Sequence, residues 1–264
     1  MHWLIHNKFD YDPKVRNLID NLERLSIDYT RASVVPFSTD GISFEDDTTI
    51  DSLQAKKIFT YGSYTMANIA SKLFSPGAFI SPNISMIELT KNYGSEMLNS
   101  DMIVGSIKDL DPDFDSFFIR PVEDTKSIVG EVYTKEYFKE WKQKILDTSK
   151  EFPDNYTTVT PDTLICIAPC KSIEAEYRCF VVNDKVATVS QYRSNGRAYF
   201  SSSVDSYIVD YVNDLIKTWK PDKAFVLDVA LLNGTLKAIE ANCINSSGLY
   251  EIDTQKLIMA VEEL

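Results

Sequence analysis

The sequence has very little histidine, and neither histidine lies where a catalytic centre would need one. His2 and His6 are the only two in 264 residues, and both fall in the first short apolar stretch. A Ser-His-Asp or Cys-His centre, or a histidine-rich zinc site, would have to draw on that stretch. We therefore expect both histidines to border a first strand, and any chemistry in the rest of the chain to work without histidine.

Glycine is also scarce, and the glycine motifs of the commonest nucleotide-binding folds are missing. The nine glycines form neither a Gly-x4-Gly-Lys-Ser/Thr sequence nor a Gly-x-Gly-x-x-Gly sequence. Those motifs surround phosphates with backbone N–H groups at the start of a helix. P-loop and Rossmann nucleotide binding are therefore not expected.

The sequence also has few positively charged residues relative to negative ones, and it has no long apolar run. The 27 Lys and Arg are outnumbered by 39 Asp and Glu, which gives a net charge of −12. This net negative charge repels the phosphate backbones of nucleic acids, so we expect no nucleic-acid partner. No stretch approaches the ~20 apolar residues of a membrane span, and the first residues lack the pattern of a signal peptide. We expect no membrane partner and a cytoplasmic location, the host cytoplasm if a phage encodes the chain.

Four cysteines occur late in the chain, in apolar or strand-like surroundings. Cys166 and Cys170 have a spacing found in metal sites, but no second Cys/His pair follows them. We interpret Cys166, Cys170, Cys179 and Cys243 as reduced, buried structural thiols.

The first hundred residues alternate between strand and helix patterns. Apolar stretches lie at residues 2–6, 31–37 and 57–61, and helical periodicity follows Asp12-Pro13 and Gly62. This alternation predicts a small α/β domain over residues 1–100.

After residue 100 the pattern changes to antiparallel hairpins with helices packed on them. Asn183-Asp184 and Asn233-Gly234 separate pairs of apolar stretches and predict two tight hairpin turns. The predicted fold class is therefore α+β. We expect one domain over residues 101–264 with a subdomain break near 163–170.

The last hairpin carries three oxygen-bearing side chains. Glu240 and Asn242 lie two apart and share one face of their strand. Counting from the turn places Asp228 opposite the neighbourhood of Glu240. Two carboxylates and an amide oxygen suit Mg²⁺. The alternative is a solvated sheet face on which acidic side chains alternate outward without further role.

Cations that could serve a polyphosphate accompany this face. Arg120 ends a strand before Pro121, Lys126 follows it, and Arg178 and Arg193 lie on a later hairpin. Arginine and lysine beside a metal neutralise the charge of phosphate oxygens. Each cation taken singly is more typical of a surface or salt-bridged residue, and it is their combination with the metal face that favours a polyphosphate.

These residues, in this order, resemble a known family. The blocks are Phe118-Ile119-Arg120-Pro121, then Asp124 and Lys126, then Glu176-Tyr177-Arg178, then Asp228, then Ile239-Glu240-Ala241-Asn242. They resemble the ATP-grasp superfamily, and more closely its clade named for an arginine–lysine exchange, found in bacteria and phages. The resemblance covers about residues 55–264. It implies an ATP-grasp fold, in which two α+β subdomains clasp ATP, preceded by the small α/β domain.

The resemblance also implies ligands for ATP and Mg²⁺. Asp228, Glu240 and Asn242 would bind the metal, and Arg120 and Lys126 would contact phosphates. The strand around Cys166 and Ile167 would be a linker whose backbone binds the adenine edge. The further implied roles are the ribose or a neighbouring cation for Glu174 or Glu176, and the γ-phosphate and acceptor carboxylate for Arg178 and Arg193.

The implied reaction is ATP-dependent joining of a carboxylate to an amine through an acyl phosphate, on a small molecule, an amino acid, a peptide or a protein. This chemistry relies on positioning and charge neutralisation rather than a protein nucleophile. Two alternatives remain, an ATP-binding module without turnover and a kinase-like phosphotransferase. The chain departs from the family pattern at Arg120, where many members carry lysine, and at residues 125–130, where one glycine replaces a glycine-rich flap. We expect the amino-terminal domain and loops such as residues 196–203 to set specificity.

Overall fold

The computed structural model describes residues 1–38, 41–123, 128–152 and 158–264. They form two compact units. Unit 1 combines residues 1–84 with residues 173–264, and unit 2 consists of residues 85–172. The domain limits expected from the sequence, at residues 100 and 101 with a break near 163–170, stay a prediction.

The first sheet of unit 1 is mostly parallel, as the strand–helix alternation predicts. Its strand order is β3-β2-β1-β4-β5, and β3 alone runs antiparallel to its neighbour. Both histidines lie on β1, as expected, at its first and last positions. The elements are β1 (His2–His6), α1 (Pro13–Arg24), β2 (Tyr29–Val34), β3 (Ile42–Phe44), α2 (Ile50–Gln54), β4 (Lys57–Tyr61), α3 (Tyr64–Leu73) and β5 (Ser75–Gly77).

Unit 2 is a four-stranded antiparallel sheet with strand order β6-β9-β7-β8. Its core lies on one face, where Phe117, Ile119, Ile165 and Ile167 pack against Phe138. The elements are α4 (Met86–Tyr93), β6 (Ile103–Ser106), β7 (Ser116–Pro121), β8 (Glu131–Thr134), α5 (Lys135–Glu151) and β9 (Leu164–Pro169).

The second sheet of unit 1 is antiparallel, with strand order β12-β11-β10-β13-β14. Both predicted hairpin turns are confirmed, with positive φ at Asn183-Asp184 and at Asn233-Gly234. Residues 196–203, expected as a loop, contain the edge strand β12 instead. The elements are β10 (Ala175–Val182), β11 (Lys185–Ser194), β12 (Arg197–Ser201), α6 (Ser206–Thr218), β13 (Ala224–Leu232), β14 (Thr235–Asn242) and α7 (Thr254–Glu262).

The two sheets of unit 1 share one hydrophobic core, which explains why residues 1–84 belong with residues 173–264. Trp3 and Phe59 of the first sheet are fully buried in the same cluster as Phe180 and Val226 of the second. Helices α1 and α7 contribute further buried side chains, among them Leu18, Leu22, Leu257 and Val261. Within the described ranges, no helix is both long and apolar enough to span a bilayer.

Truncating Phe180 should destabilise unit 1 strongly, because its ring is 0% exposed in the shared core. We expect Phe180→Ala to lower the free energy of unfolding by about 3–5 kcal/mol. Phe200→Ala is the matched control, since that ring is 53% exposed, and should cost about 0.5 kcal/mol. Urea unfolding followed by tryptophan fluorescence measures both. Equal losses in the two variants would contradict a core shared by the two sheets.

Candidate functional site

A β-bulge places the three predicted metal ligands on one face of the second sheet. From the Asn233-Gly234 turn outward, the pairs run from Leu232–Thr235 to Val229–Ala238 without interruption. The next pair is Asp228–Glu240, so Ile239 is an extra residue. Without it, Asp228 would face Ile239, because successive side chains alternate between faces. The bulge therefore turns the side chains of Glu240 and Asn242 to the face that carries Asp228.

The side chains on this face contact one another. Asp228 is 1% exposed and Asn242 is 2% exposed, while Glu240 is half-buried. The Nδ2 atom of Asn242 donates a hydrogen bond to Oε1 of Glu240 at 3.0 Å. The predicted set is thus brought together within one hairpin.

Arg178 binds Asp228 across the β10–β13 pair. Their Cα atoms are direct partners, and the guanidinium donates from Nε to Oδ1 at 2.9 Å and from Nη2 to Oδ2 at 2.7 Å. Nη1 lies 3.5 Å from the carbonyl oxygen of Gly248. Both residues are buried, so this is a forked, charge-assisted contact in a site with little water.

Two tyrosines lie beside the Arg178 guanidinium. Its Cζ atom is 4.8 Å from the ring centroid of Tyr250 and 5.5 Å from that of Tyr192. The two rings stack on each other with centroids 5.0 Å apart and an interplanar angle of 9°. Cation–π contact and stacking therefore fix the plane of the guanidinium. Tyr192 is the extra residue of a second bulge, between the pairs Glu176–Arg193 and Tyr177–Gln191.

Glu176 and Arg193 lie next to this cluster. The hydroxyl of Tyr192 donates to Oε2 of Glu176 at 2.7 Å, and Nη1 of Arg193 lies 3.8 Å from Oε1 of Glu176. Arg193 is exposed and Glu176 is largely buried. Glu174 lies apart from them, because its Oε1 accepts from the backbone N–H of Asn233 in the hairpin turn. Lys237, half-buried and paired with Ala230, is on the same sheet face as Asp228 and was missed by the sequence reasoning.

Burial shapes the electrostatics of the site. Burial raises the pKa of Asp228 to about 6, Arg178 opposes this rise, and Glu240 and Glu176 add to it. Burial disfavours the charge on Arg178, but the attraction of the Asp228 carboxylate raises the pKa of the guanidinium above its ordinary value. Burial likewise raises the pKa of the Tyr192 hydroxyl, with Asp228 and Glu176 contributing. The site therefore concentrates negative charge that one arginine only partly compensates.

The donor set fits a hard divalent cation. No cluster of three or more His, Cys, Asp and Glu side chains suited to a metal occurs in the described part of the chain. The predicted set instead has two carboxylates and one amide. Each carboxylate oxygen has more than one lone pair, so the two bonds from Arg178 leave Asp228 able to accept further contacts. A cation bound by Asp228, Glu240 and Asn242 would also offset the burial and, to a smaller extent, the repulsion from Glu240 that raise the pKa of Asp228.

The residues after Asn242 are anchored by a buried asparagine that sequence reasoning also missed. Asn245 is 0% exposed, and its Nδ2 donates to the carbonyl of Thr60 at 2.5 Å while its Oδ1 accepts from the N–H of Phe79 at 2.7 Å. Its own carbonyl accepts from the N–H of Gly62 at 2.8 Å. These bonds fix the chain that leads from Asn242 to Tyr250. No motif in the sequence identifies Asn245.

In unit 2, Arg120 lies on the sheet face opposite the core. It pairs with Cys166, is half-buried, and its Nε donates to the carbonyl of Pro121 at 3.3 Å. Burial raises the pKa of the Cys166 thiol to about 11, so Cys166 is a neutral, buried thiol as expected. Cys170, by contrast, is exposed, which corrects the expectation that all four cysteines are buried. Lys126 and Asp124 lie outside the described residues.

Cys166 and Ile167 lie within the sheet rather than in a linker. Cys166 pairs with Val104 on one side and Arg120 on the other, and Ile167 likewise has a partner in both neighbouring strands. Main-chain groups in the interior of a sheet already serve its hydrogen-bond ladders. The predicted use of these backbone groups for an adenine edge is therefore not supported by the strand pairing. The chain between β9 and β10, residues 170–172, has no such ladder on both sides.

Comparisons with known proteins place this site in a family. The model of the ATP-grasp domain, R-to-K clade, family 2, matches residues 99–260, more than half of the chain. That segment includes every predicted site residue. No curated protein is similar enough in sequence to count as a match.

Solved structures with the same fold are distant in sequence. D-cycloserine synthetase DcsG has a TM-score of 0.62 and 10% identity, covering 100% of this chain and 99% of its own. The ATP-grasp ligase PsnB with a minimal precursor has a TM-score of 0.57 and 10% identity, covering 99% and 98%. The D-alanine–D-alanine ligase from Bacillus anthracis complexed with ATP has a TM-score of 0.58 and 14% identity, covering 99% and 96%. The predicted α+β ATP-grasp fold is confirmed.

Proposed function

The chain belongs to the ATP-grasp domain family 2 of the R-to-K clade, and on that premise we propose that it is an ATP- and Mg²⁺-dependent ligase that joins a carboxylate to an amine. One observation carries the proposal. The bulge at Ile239 turns Glu240 and Asn242 onto the face of Asp228, where a sheet of regular register would have placed Ile239 opposite Asp228. A bulge that gathers oxygen donors beside a buried carboxylate is typical of a functional site.

In this proposal Asp228, Glu240 and Asn242 hold the metal, which when bound neutralises charge on phosphate oxygens. Arg178 acts as a positioning residue, because its Nε and Nη2 are engaged by Asp228 and its Nη1 by the carbonyl oxygen of Gly248. The exposed Arg193 takes over the role of contacting the acceptor carboxylate that the resemblance assigned to both arginines.

The remaining roles follow the family resemblance, with two changes: Glu174 is left out, because its carboxylate accepts from the N–H of Asn233, and the adenine segment moves. Arg120 and Lys126 contact phosphates, and Glu176 holds either the ribose or Arg193, its present partner. Residues 170–172 replace Cys166 and Ile167 as the segment that binds the adenine edge, since both neighbours of β9 already use the backbone of those two residues.

The proposed reaction has two steps, formation of an acyl phosphate and its displacement by the amine. A carboxylate oxygen attacks the γ-phosphorus of ATP, the bond to the β–γ bridging oxygen breaks, and ADP leaves. The amine nitrogen then attacks the acyl carbon, the C–O bond to phosphate breaks, and the amine loses a proton as the amide forms. Positioning and charge neutralisation supply the catalysis, so no protein nucleophile is needed.

Carboxylate-dependent ATP consumption tests this proposal. The full chain is incubated with ATP, Mg²⁺ and mixtures of amino acids and peptides, and release of ADP and phosphate is followed. With a carboxylate labelled with ¹⁸O, we expect one labelled oxygen in the released phosphate. Hydroxylamine in place of the amine should trap the acyl phosphate as a hydroxamate.

The other outcomes separate the alternatives. Phosphate without ¹⁸O would indicate ATP hydrolysis and contradict the ligase. A phosphorylated product without free phosphate would indicate a phosphotransferase. ATP binding without turnover under any mixture would indicate a binding module.

A further inference from the structure

The β12 strand presents an open sheet edge within unit 1. In the described ranges, β12 pairs with β11 and no other strand lies along its second side. Arg197, Ala198, Tyr199 and Phe200 are all exposed. Proteins usually protect such edges by covering, charging or shortening them, because unpaired N–H and C=O groups invite another strand. This edge instead exposes two adjacent aromatic side chains, at 52% and 53%.

The turn that begins β12 determines which backbone groups point outward. Asn195 and Gly196 have φ values of 48° and 73°, and Ser194 pairs with Arg197 around them. In a two-residue hairpin of this kind, the flanking pair exchanges hydrogen bonds and the next residue points its N–H and C=O away from its partner. The backbone of Ala198 is therefore directed to the open side.

The charge around this edge is opposite to that of the chain as a whole. The chain carries a net charge of −12, yet residues 186–204 contain no Asp or Glu and include Arg193 and Arg197. Arg197 is exposed, and the Arg193 side chain is 54% exposed although its Nη1 lies 3.8 Å from Glu176 Oε1. Negative charge on a partner would therefore favour its binding to this segment.

Aromatic stacking connects the edge to the candidate site. The Phe200 ring stacks on Tyr250 with centroids 5.5 Å apart and an interplanar angle of 19°. Tyr250 in turn stacks on Tyr192, and both lie against Arg178, which binds Asp228. The Phe200 side chain thus links β12 to the rings beside Arg178, while β11 and β12 themselves lie between an added strand and β10.

We infer that the open edge of β12 binds the carboxylate substrate as an extended acidic peptide, which adds to the sheet as a further strand. This inference rests on the proposed ligase function and specifies its substrate class. The peptide backbone would bond to main-chain groups such as those of Ala198. Its acidic side chains would pair with Arg197 and Arg193, and Tyr199 and Phe200 would supply apolar contact.

Binding of a labelled peptide to the full chain tests the inference. The probe is a fluorescein-labelled peptide of alternating glutamate and valine, measured by fluorescence anisotropy. Ala198→Pro removes the outward N–H without removing a ladder bond, and we expect it to weaken binding about tenfold. Arg197→Glu should weaken it by at least as much, whereas Lys217→Glu, the same charge change on exposed α6, should leave it unchanged.

Changes in the peptide provide a test that does not depend on how the variants fold. Methylation of alternate backbone nitrogens of the probe should abolish binding, and a lysine–valine peptide should bind at least about tenfold more weakly. Equal binding of the methylated probe, or of the lysine–valine peptide, would overturn the inference. So would a shift from dimer to monomer in Ala198→Pro by light scattering, since that would assign the edge to a second copy of this chain.

Failure of the inference and failure of the proposed function can be told apart, because peptide binding is measured without turnover. If ADP is released with small carboxylates but the peptide does not bind, the function stands and the β12 site is rejected. If the peptide binds with the expected sensitivity but no carboxylate supports ADP release, the ligase proposal is rejected and the surface stands.

Discussion

Glu240→Gln should reduce Mg²⁺-dependent ATP turnover about a thousandfold while leaving the fold intact. The substitution keeps the size of the side chain and an oxygen that accepts from Nδ2 of Asn242, which lies 3.0 Å away. It removes one of two carboxylate charges from a face that also carries the buried Asp228. Because that charge is what holds a divalent cation there, the loss should appear in metal affinity as well as in rate.

Two measurements separate these effects. ADP release as a function of Mg²⁺ concentration gives the rate and the apparent metal affinity. Electron paramagnetic resonance of Mn²⁺ gives the metal affinity without turnover. Removing Mg²⁺ with EDTA should abolish the activity of the wild-type chain, and adding Mg²⁺ back should restore it.

Glu263→Gln is the matched control, because the same charge is removed from a side chain that is 60% exposed and paired with Lys185. Exposed pairs of this kind contribute little to stability, and Glu263 lies on no strand of the site. Its turnover and Mn²⁺ binding should equal those of the wild type. Full turnover in Glu240→Gln would show that the metal assignment is wrong.

Local sequence signals predict much of the sheet that carries this site. The strands β10 and β13, residues 175–182 and 224–232, end directly at the two predicted turns, because each is an apolar stretch followed by Asn-Asp or Asn-Gly. Period-2 alternation also placed Glu240 and Asn242 on one face of β14 correctly.

The bulge at Ile239 had no such signal. Regular pairing from the Asn233-Gly234 turn matches Asp228 with Ile239, whereas the sheet pairs Asp228 with Glu240. No local sequence pattern indicates the bulge at Tyr192 either. One-residue changes of register decide which side chains meet, and local propensity does not determine them.

Contacts between residues far apart in the sequence were the other part of the structure that could not be predicted. The sequence indicates that β1 and β10 are apolar on at least one face, but it does not indicate that both sheets bury those faces in one core. The pairing of Arg178 with Asp228 likewise depends on two strands that are fifty residues apart. Such contacts follow from topology, which composition and periodicity constrain only weakly.

Arg178→Met should destabilise the protein by about 3–5 kcal/mol, since it leaves Asp228 buried without its partner. Asp228 is 1% exposed, so water cannot replace the two bonds from Nε and Nη2. In a chain of this size the melting temperature should fall by roughly 10 °C. Thermal unfolding followed by circular dichroism measures the change.

Arg193→Met is the matched control on the neighbouring strand. That side chain is 54% exposed and lies 3.8 Å from Glu176, so its loss should cost about 0.5 kcal/mol or less. A loss in Arg178→Met no larger than in Arg193→Met would contradict the inference that the Arg178–Asp228 pair is buried and essential to the site.

The double variant Arg178→Met/Asp228→Leu distinguishes a favourable ion pair from the penalty of an isolated charge. If the loss in the single variant arises mainly because Asp228 is left unpaired, replacing both residues by apolar ones should recover most of the stability. The double variant should nevertheless fail to bind Mn²⁺, because it lacks one of the proposed ligands. A double variant as unstable as Arg178→Met would instead show that the pair itself stabilises the fold. Recovery of stability without metal binding would mean that Arg178 and Asp228 are retained for the chemistry of the site, at no net gain to the fold.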